Sequence, residues 1–131
     1  MSRRDTGPSS PTVLAVLRRD GYACVRCGRD ATGERGRDWS VQHRRPRAMG
    51  GSRRPDTNLP QNLIILCGSA TSPDGCHHEV ETHRADALAN GWLLWQTADP
   101  AAEPVLVAHS SRWVWLTEDG RYSSEPPAVT A

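Results

Sequence analysis

Phenylalanine and lysine are both absent from this 131-residue chain, and aromatic residues make up only 5% of it. Without Phe, an apolar core has to be assembled from Leu, Val, Ile and Ala together with the five Trp. A core that lean calls for a staple in a chain of this size. No apolar run approaches the ~20 residues of a membrane-spanning helix, and the opening Met-Ser-Arg-Arg-Asp lacks the apolar stretch of a secretory signal. The expectation is a cytoplasmic protein, neither membrane-bound nor secreted. No internal repeat is visible. A hydrophobic share of 37% is low, yet too high for a wholly disordered chain, and the length suits one compact domain with tails.

The lack of lysine makes all sixteen basic residues arginine, and the net charge of +1 conceals how they are distributed. Residues 1–54 hold thirteen Arg against five acids, a net of +8. Residues 55–131 hold three Arg against ten acids, a net of −7. Base composition of a genome can favour Arg over Lys, but it does not segregate charge by sign. A positive front half makes a polyanion, and nucleic acid in particular, a candidate partner.

Ser10-Pro11 reads as a helix start, with Ser10 as N-cap and Pro11 at the first helical position. Val13, Leu14, Val16 and Leu17 form its apolar face and Gly21 its exit. Trp39-Ser-Val-Gln-His43 alternates like a strand, with Trp39, Val41 and His43 on one face; Trp39 is read as core rather than as a base-stacking platform. Residues 44–56 carry five Arg, two Pro and Gly50-Gly51, and read as an exposed loop that orders on binding. The run Leu63-Ile-Ile-Leu66 is too short to assign by periodicity. Residues 76–90 suit a helix stopped by Gly91, and 92–95, 105–107 and 113–116 read as short strands.

Four cysteines stand at 24, 27, 67 and 76. Cys24-x2-Cys27 is the spacing with which two thiolates grip one tetrahedral ion, and Cys67 with Cys76 can close the site. Four thiolates leave no open coordination position, so the expected Zn²⁺ is structural. The competing readings are two disulfides or buried thiols. On the helix that follows, His77 and Glu81 are four residues apart, as are Glu79 and His83; either pair lies on one face and can grip a divalent cation.

Taken together, Arg19-Asp-Gly-Tyr-Ala-Cys24-Val-Arg-Cys27-Gly, Val41-Gln-His43-Arg-Arg-Pro-Arg-Ala-Met-Gly-Gly51, Asn58-Leu-Pro-Gln-Asn62-Leu-Ile-Ile-Leu-Cys67-Gly and Gly75-Cys76-His77-His-Glu-Val-Glu81 resemble the HNH endonucleases of the His-Me finger (ββα-metal) group. The likeness is closest to the small zinc-stapled phage form. The resemblance implies an α+β fold: a zinc-stapled ββα-metal core with an N-terminal helix and a C-terminal β-hairpin or small sheet. With the residue readings at both ends, the chain is expected to divide into a flexible N-terminus (1–9), a nuclease domain (10–91), a β extension (92–122) and a flexible tail (123–131). His43 matches the general base and Asn62 the residue that holds the base-bearing loop. His77 matches a ligand of the catalytic metal, and Gln42 stands where the family commonly has an Asp or His ligand. Glu81, one turn along from His77, can restore the negative charge that Gln42 lacks.

The chemistry implied is hydrolysis of a DNA phosphodiester to 5′-phosphate and 3′-hydroxyl ends. Neutral His43 accepts the proton of water, and one Mg²⁺ (or Mn²⁺ or Ni²⁺) stabilises the phosphorane and the departing 3′-oxygen. Arg44, Arg45, Arg47, Arg53 and Arg54 flank the base and are expected to hold backbone phosphates, with steep salt dependence and little sequence readout. By resemblance, a phage terminase or portal is a candidate partner, in a bacterial or phage-infected cell. The alternative reading is a non-catalytic zinc-stapled DNA-binding module with a decayed metal site at Gln42. A third, a disulfide-rich interaction protein, fits poorly with the Arg-rich loop.

Overall fold

The computed structural model of the protein describes residues 7–46 and 54–128. Among them are three helices, α1 (Ser10–Arg19), α2 (Cys76–Thr82) and α3 (Arg84–Ala89). There are five strands: β1 (Trp39–His43), β2 (Leu63–Cys67), β3 (Val105–Val107), β4 (Arg112–Leu116) and β5 (Tyr122–Ser123). β1 and β2 form an antiparallel ribbon running from Trp39↔Cys67 to His43↔Leu63, and β3, β4 and β5 form a separate antiparallel sheet. The class is therefore mixed α+β, with a small C-terminal sheet in place of a lone hairpin. No helix among the described residues is long and apolar enough to cross a membrane.

β2 explains why the run at 63–66 carries no periodicity: all five of its residues are buried. Leu63 and Ile65 face one apolar cluster with Val13, Val16 and Leu17 of α1 and with Trp39. Ile64 and Leu66 face another with Val80, Ala87, Trp92, Leu93 and the β3–β4 residues Val105, Val107, Val114 and Leu116. A strand covered on both faces reads as a continuous apolar run. The C-terminal sheet consequently shares the second cluster with α2 and α3.

Three local expectations are corrected. Ser9, not Ser10, caps α1: its hydroxyl accepts from the Thr12 N–H at 3.3 Å, which moves Pro11 to the second helical position. The exit at Gly21 is as expected; Gly21 (φ +70°) donates to the Arg18 carbonyl and Tyr22 to that of Leu17, a Schellman closure. The helix read over 76–90 is two helices, broken at His83 (φ −115°, ψ 64°), where the Thr82 hydroxyl bonds back to the His78 carbonyl at 2.9 Å. Residues 92–95 are not a strand. The N–H groups of Trp92 and Leu93 both turn back to the Ala87 carbonyl, so they close α3 instead of pairing in a sheet.

Of the two ends expected to be loose, residues 1–6 and 129–131 lie outside the described residues. Pro8 is buried. Tyr122 donates its hydroxyl to Asp20 Oδ1 at 2.6 Å, and the Arg19 guanidinium lies 5.7 Å from its ring centroid. Asp20 is itself buried, paired to Arg19 at 2.9 Å and accepting from the Ile65 N–H at 3.0 Å. One carboxylate thus joins the end of α1, the middle of β2 and the last strand, and burial beside it holds the Tyr122 hydroxyl above its usual pKa.

Candidate functional site

All four cysteines are free thiols, and their Sγ atoms lie within 4.8 Å of one another. Cys27 and Cys67 are 3.6 Å apart at sulfur, far beyond a disulfide bond but close to the ~3.8 Å edge of a tetrahedron with Zn–S bonds of about 2.3 Å. The Cys27 N–H points at Cys24 Sγ (3.5 Å), the Cys76 N–H at Cys67 Sγ (3.4 Å) and Arg26 Nη1 at Cys76 Sγ (3.4 Å). Hydrogen bonds from Cys24 and Arg26 push the Cys76 thiol down, while its bond to Cys76 and burial push Cys24 up. Such donors stabilise thiolate charge, and a soft four-sulfur donor set suits a structural Zn²⁺.

The long spacing between Cys67 and Cys76 is resolved by two glycines. A Cβ built on Gly68 (φ +75°) would lie 2.8 Å from the Gly75 Cα, and one on Gly75 just as close to the Gly68 Cα. The intervening loop is pinched at its neck, so the two sulfurs come together as those of a short-spaced pair would. Among the described residues, the cysteines are the one group of three or more Cys, His, Asp or Glu side chains close enough to share a metal.

A second, open site lies on the same ribbon. Val41, Gln42, His43, Pro46, His77 and Glu81 line a cleft of about 210 Å³. β1 brings Gln42 and His43 to it, and α2 brings His77 and Glu81 one helical turn apart. His77 Nδ1 is 2.6 Å from Ser40 Oγ, and its Nε2 is 3.8 Å from Glu81 Oε1. Burial lowers the His77 pKa, with Glu81 opposing, so the imidazole is neutral at pH 7. If Nδ1 donates to Ser40, Nε2 carries the lone pair on the Glu81 side, where a cation can take both groups.

Asn62 is fully buried, and its amide joins two stretches of chain. It accepts from the Arg45 N–H at 2.7 Å and donates to the Arg45 and Thr57 carbonyls at 3.2 and 2.9 Å. The amide thus ties Arg45, two residues after His43, to Thr57. The His43 ring is 2.8 Å from Asn58 Oδ1 through Nε2.

The arginines divide sharply, and two expected phosphate ligands are corrected. Arg44 is fully buried and donates to the carbonyls of Gly91 (2.8 Å), Gln61 (3.0 Å), Pro100 (3.0 Å), Glu103 (2.8 Å) and Pro104 (3.2 Å). Burial lowers its pKa to about 9, still high enough to keep the guanidinium charged at pH 7. Arg45, also buried, pairs with Asp56 and donates to the Ala98 carbonyl at 3.0 Å. Both are internal cross-links whose donors are committed to the protein. Arg54 is exposed and donates to the Gln96 carbonyl. Arg47 and Arg53 lie outside the described residues.

Sequence reasoning missed Ser40 and Asn58 as partners of the two histidines. Strand alternation carried a signal for Ser40, which stands two residues from Gln42 and so on the same face of β1. Asn58 carried none beyond its place at the edge of a turn. Compared with known proteins, the chain matches no family model, no curated protein and no solved structure.

Proposed function

We propose that the protein is a metal-dependent endonuclease or nickase that hydrolyses DNA phosphodiesters, with a zinc-stapled ββα-metal core made of β1, β2 and α2. The observation that carries this reading is the cleft in which Gln42, His43, His77 and Glu81 converge beside the loop held by Asn62. Two motifs 34 residues apart in sequence, from His43 to His77, supply the cavity, and a third supplies Asn62 behind the loop beside it, an arrangement in keeping with the resemblance to HNH nucleases.

In this mechanism neutral His43 takes a proton from the attacking water, a role suited to an imidazole near pH 7. Neutral His77, the Glu81 carboxylate and the Gln42 amide oxygen are a donor set that fits Mg²⁺ or Mn²⁺. When bound there, a divalent cation supplies positive charge to the pentacovalent phosphate and the leaving 3′-oxygen. Ser40 fixes the His77 ring, and Asn62 fixes the chain after the base, at Arg45 and Thr57. Arg54, with Arg47 and Arg53, contributes the charge that holds the backbone phosphates.

The test is nicking of supercoiled plasmid by wild type and by His43→Ala in Mg²⁺, Mn²⁺, Ni²⁺ and EDTA, with DNA binding followed in parallel. Metal-dependent cutting that disappears in the variant while binding survives is the expected result. Binding without cutting by either protein would instead favour a zinc-stapled DNA-binding module, and equal cutting by both would remove His43 as the base.

A further inference from the structure

We infer that Asn58 is a positioning residue for His43, fixing which ring nitrogen carries the proton; this rests on the reading of His43 as the base. An amide oxygen can only accept a hydrogen bond, so the 2.8 Å contact between His43 Nε2 and Asn58 Oδ1 requires the hydrogen on Nε2. In the neutral imidazole the lone pair that takes a proton from water then belongs to Nδ1. A shift to the other tautomer would put an N–H where the base is needed, and a flip of the ring would put a C–H there.

Asn58 can impose this because its own turn is held from two sides. The carbonyl of the preceding residue, Thr57, accepts from the buried Asn62 amide at 2.9 Å. Asp56, two residues before Asn58, pairs with Arg45, whose N–H and carbonyl are both bonded to the same Asn62 side chain. Leu59 closes the turn with an N–H bond to the Asp56 carbonyl at 3.2 Å. Asn62 therefore acts on the base at one remove: it sets the Thr57 carbonyl, the turn sets Asn58, and Asn58 sets the ring. Base, orienting acceptor and support stand in the order that nucleophile–base–orienter systems use.

The experiment compares the full chain with Asn58→Ala and with Asn58→Asp, which keeps an accepting oxygen at the same place. NMR of the imidazole nitrogens reads the ring directly and needs neither DNA nor activity. A slowly exchanging His43 Nε2–H is expected in wild type and Asn58→Asp and lost in Asn58→Ala. In plasmid nicking, Asn58→Ala should lower kcat on the order of 10- to 100-fold with KM for DNA unchanged, and Asn58→Asp should restore most of it. A proton on Nδ1 in wild type, or an Nε2–H signal indifferent to Asn58→Ala, would overturn the inference. The expected NMR pattern without cutting by any of the three proteins would uphold the contact and sink the nuclease reading instead.

Discussion

The thiol cluster and the cleft are built from neighbouring residues, yet they are opposite kinds of site. Cys76 and His77 are consecutive at the start of α2; one belongs to the cluster and the next to the cleft. The β1–β2 ribbon has Cys67 at one end and His43 at the other, ~13 Å apart for strands of this length. In the cluster, four identical ligands surround one point and three of them are buried. In the cleft, an imidazole, a carboxylate and an amide face an open cavity beside a second imidazole. A closed, uniform donor set holds a fold together. A mixed and open one has room for a further ligand.

The sharpest way to break this comparison is to remove the metal from the cluster. Structural Zn²⁺ in such sites contributes about 10–16 kcal/mol, comparable to or above the whole stability of a small domain. Cys67→Ser, or a strong chelator, is therefore expected to unfold the chain, with loss of its circular dichroism signal. Elemental analysis of the native protein should find close to one zinc per chain. A folded, zinc-free protein would show that the apolar clusters suffice without the staple.

Arg44 separates structural from substrate-binding arginine. Arg44→Met leaves five carbonyls without their donor, and removing a buried charged partner costs about 3–5 kcal/mol. A drop in melting temperature of many degrees is expected, whereas His43→Ala should leave that temperature nearly unchanged. The latter variant should instead lose on the order of 10²- to 10⁴-fold in cutting rate, the range for a general base. If both changes act on stability alone, the cleft is structural like the cluster.

Smaller effects refine the contrast. Arg54→Ala should leave stability intact and reduce the slope of log binding constant against log salt by about 1, as loss of one phosphate contact does. Arg44→Lys or Arg45→Lys, in any variant that stays folded, should leave the slope unchanged. The buried His77 gives the mildest expectation. Its folded pKa lies below the unfolded ~6.5, so as pH falls through 6.5 the unfolded chain binds a proton that the native chain refuses. Stability contributed by the neutral ring is complete above that pH and is lost toward the folded pKa. A melting-temperature profile between pH 7 and 5 should be flatter for His77→Gln than for wild type.

Much of this was legible in one dimension. β1 was readable at its observed bounds because alternation from Trp39 to His43 is a local property, and the exit of α1 was marked by Gly21 for the same reason. The cysteine spacing at 24 and 27 announced a metal knuckle. The spacing at 67 and 76 did not, because the contact of Gly68 with Gly75 that closes the loop exists only after folding. Arg44 and Arg45 show the limit most clearly. In sequence they belong to an arginine-rich loop and are indistinguishable from Arg54, since nothing in a row of like charges says which guanidinium will meet carbonyls 17 to 60 residues away.

Residue chemistry and spacing by themselves determined β1, the exit of α1 and the thiol set, and the likeness of the motifs to a nuclease family singled out His43, Asn62 and His77. Tertiary structure alone decided which of those groups meet: that Asn58 finds His43, that Ser40 finds His77, and that two arginines turn inward. The division has a physical reason. Helix caps, strand alternation and ligand spacing are settled by backbone geometry over a few residues. Burial of a charge and the pairing of a ring nitrogen depend on carbonyls and amides brought from distant segments by the packing of the β1–β2 ribbon between its two apolar clusters.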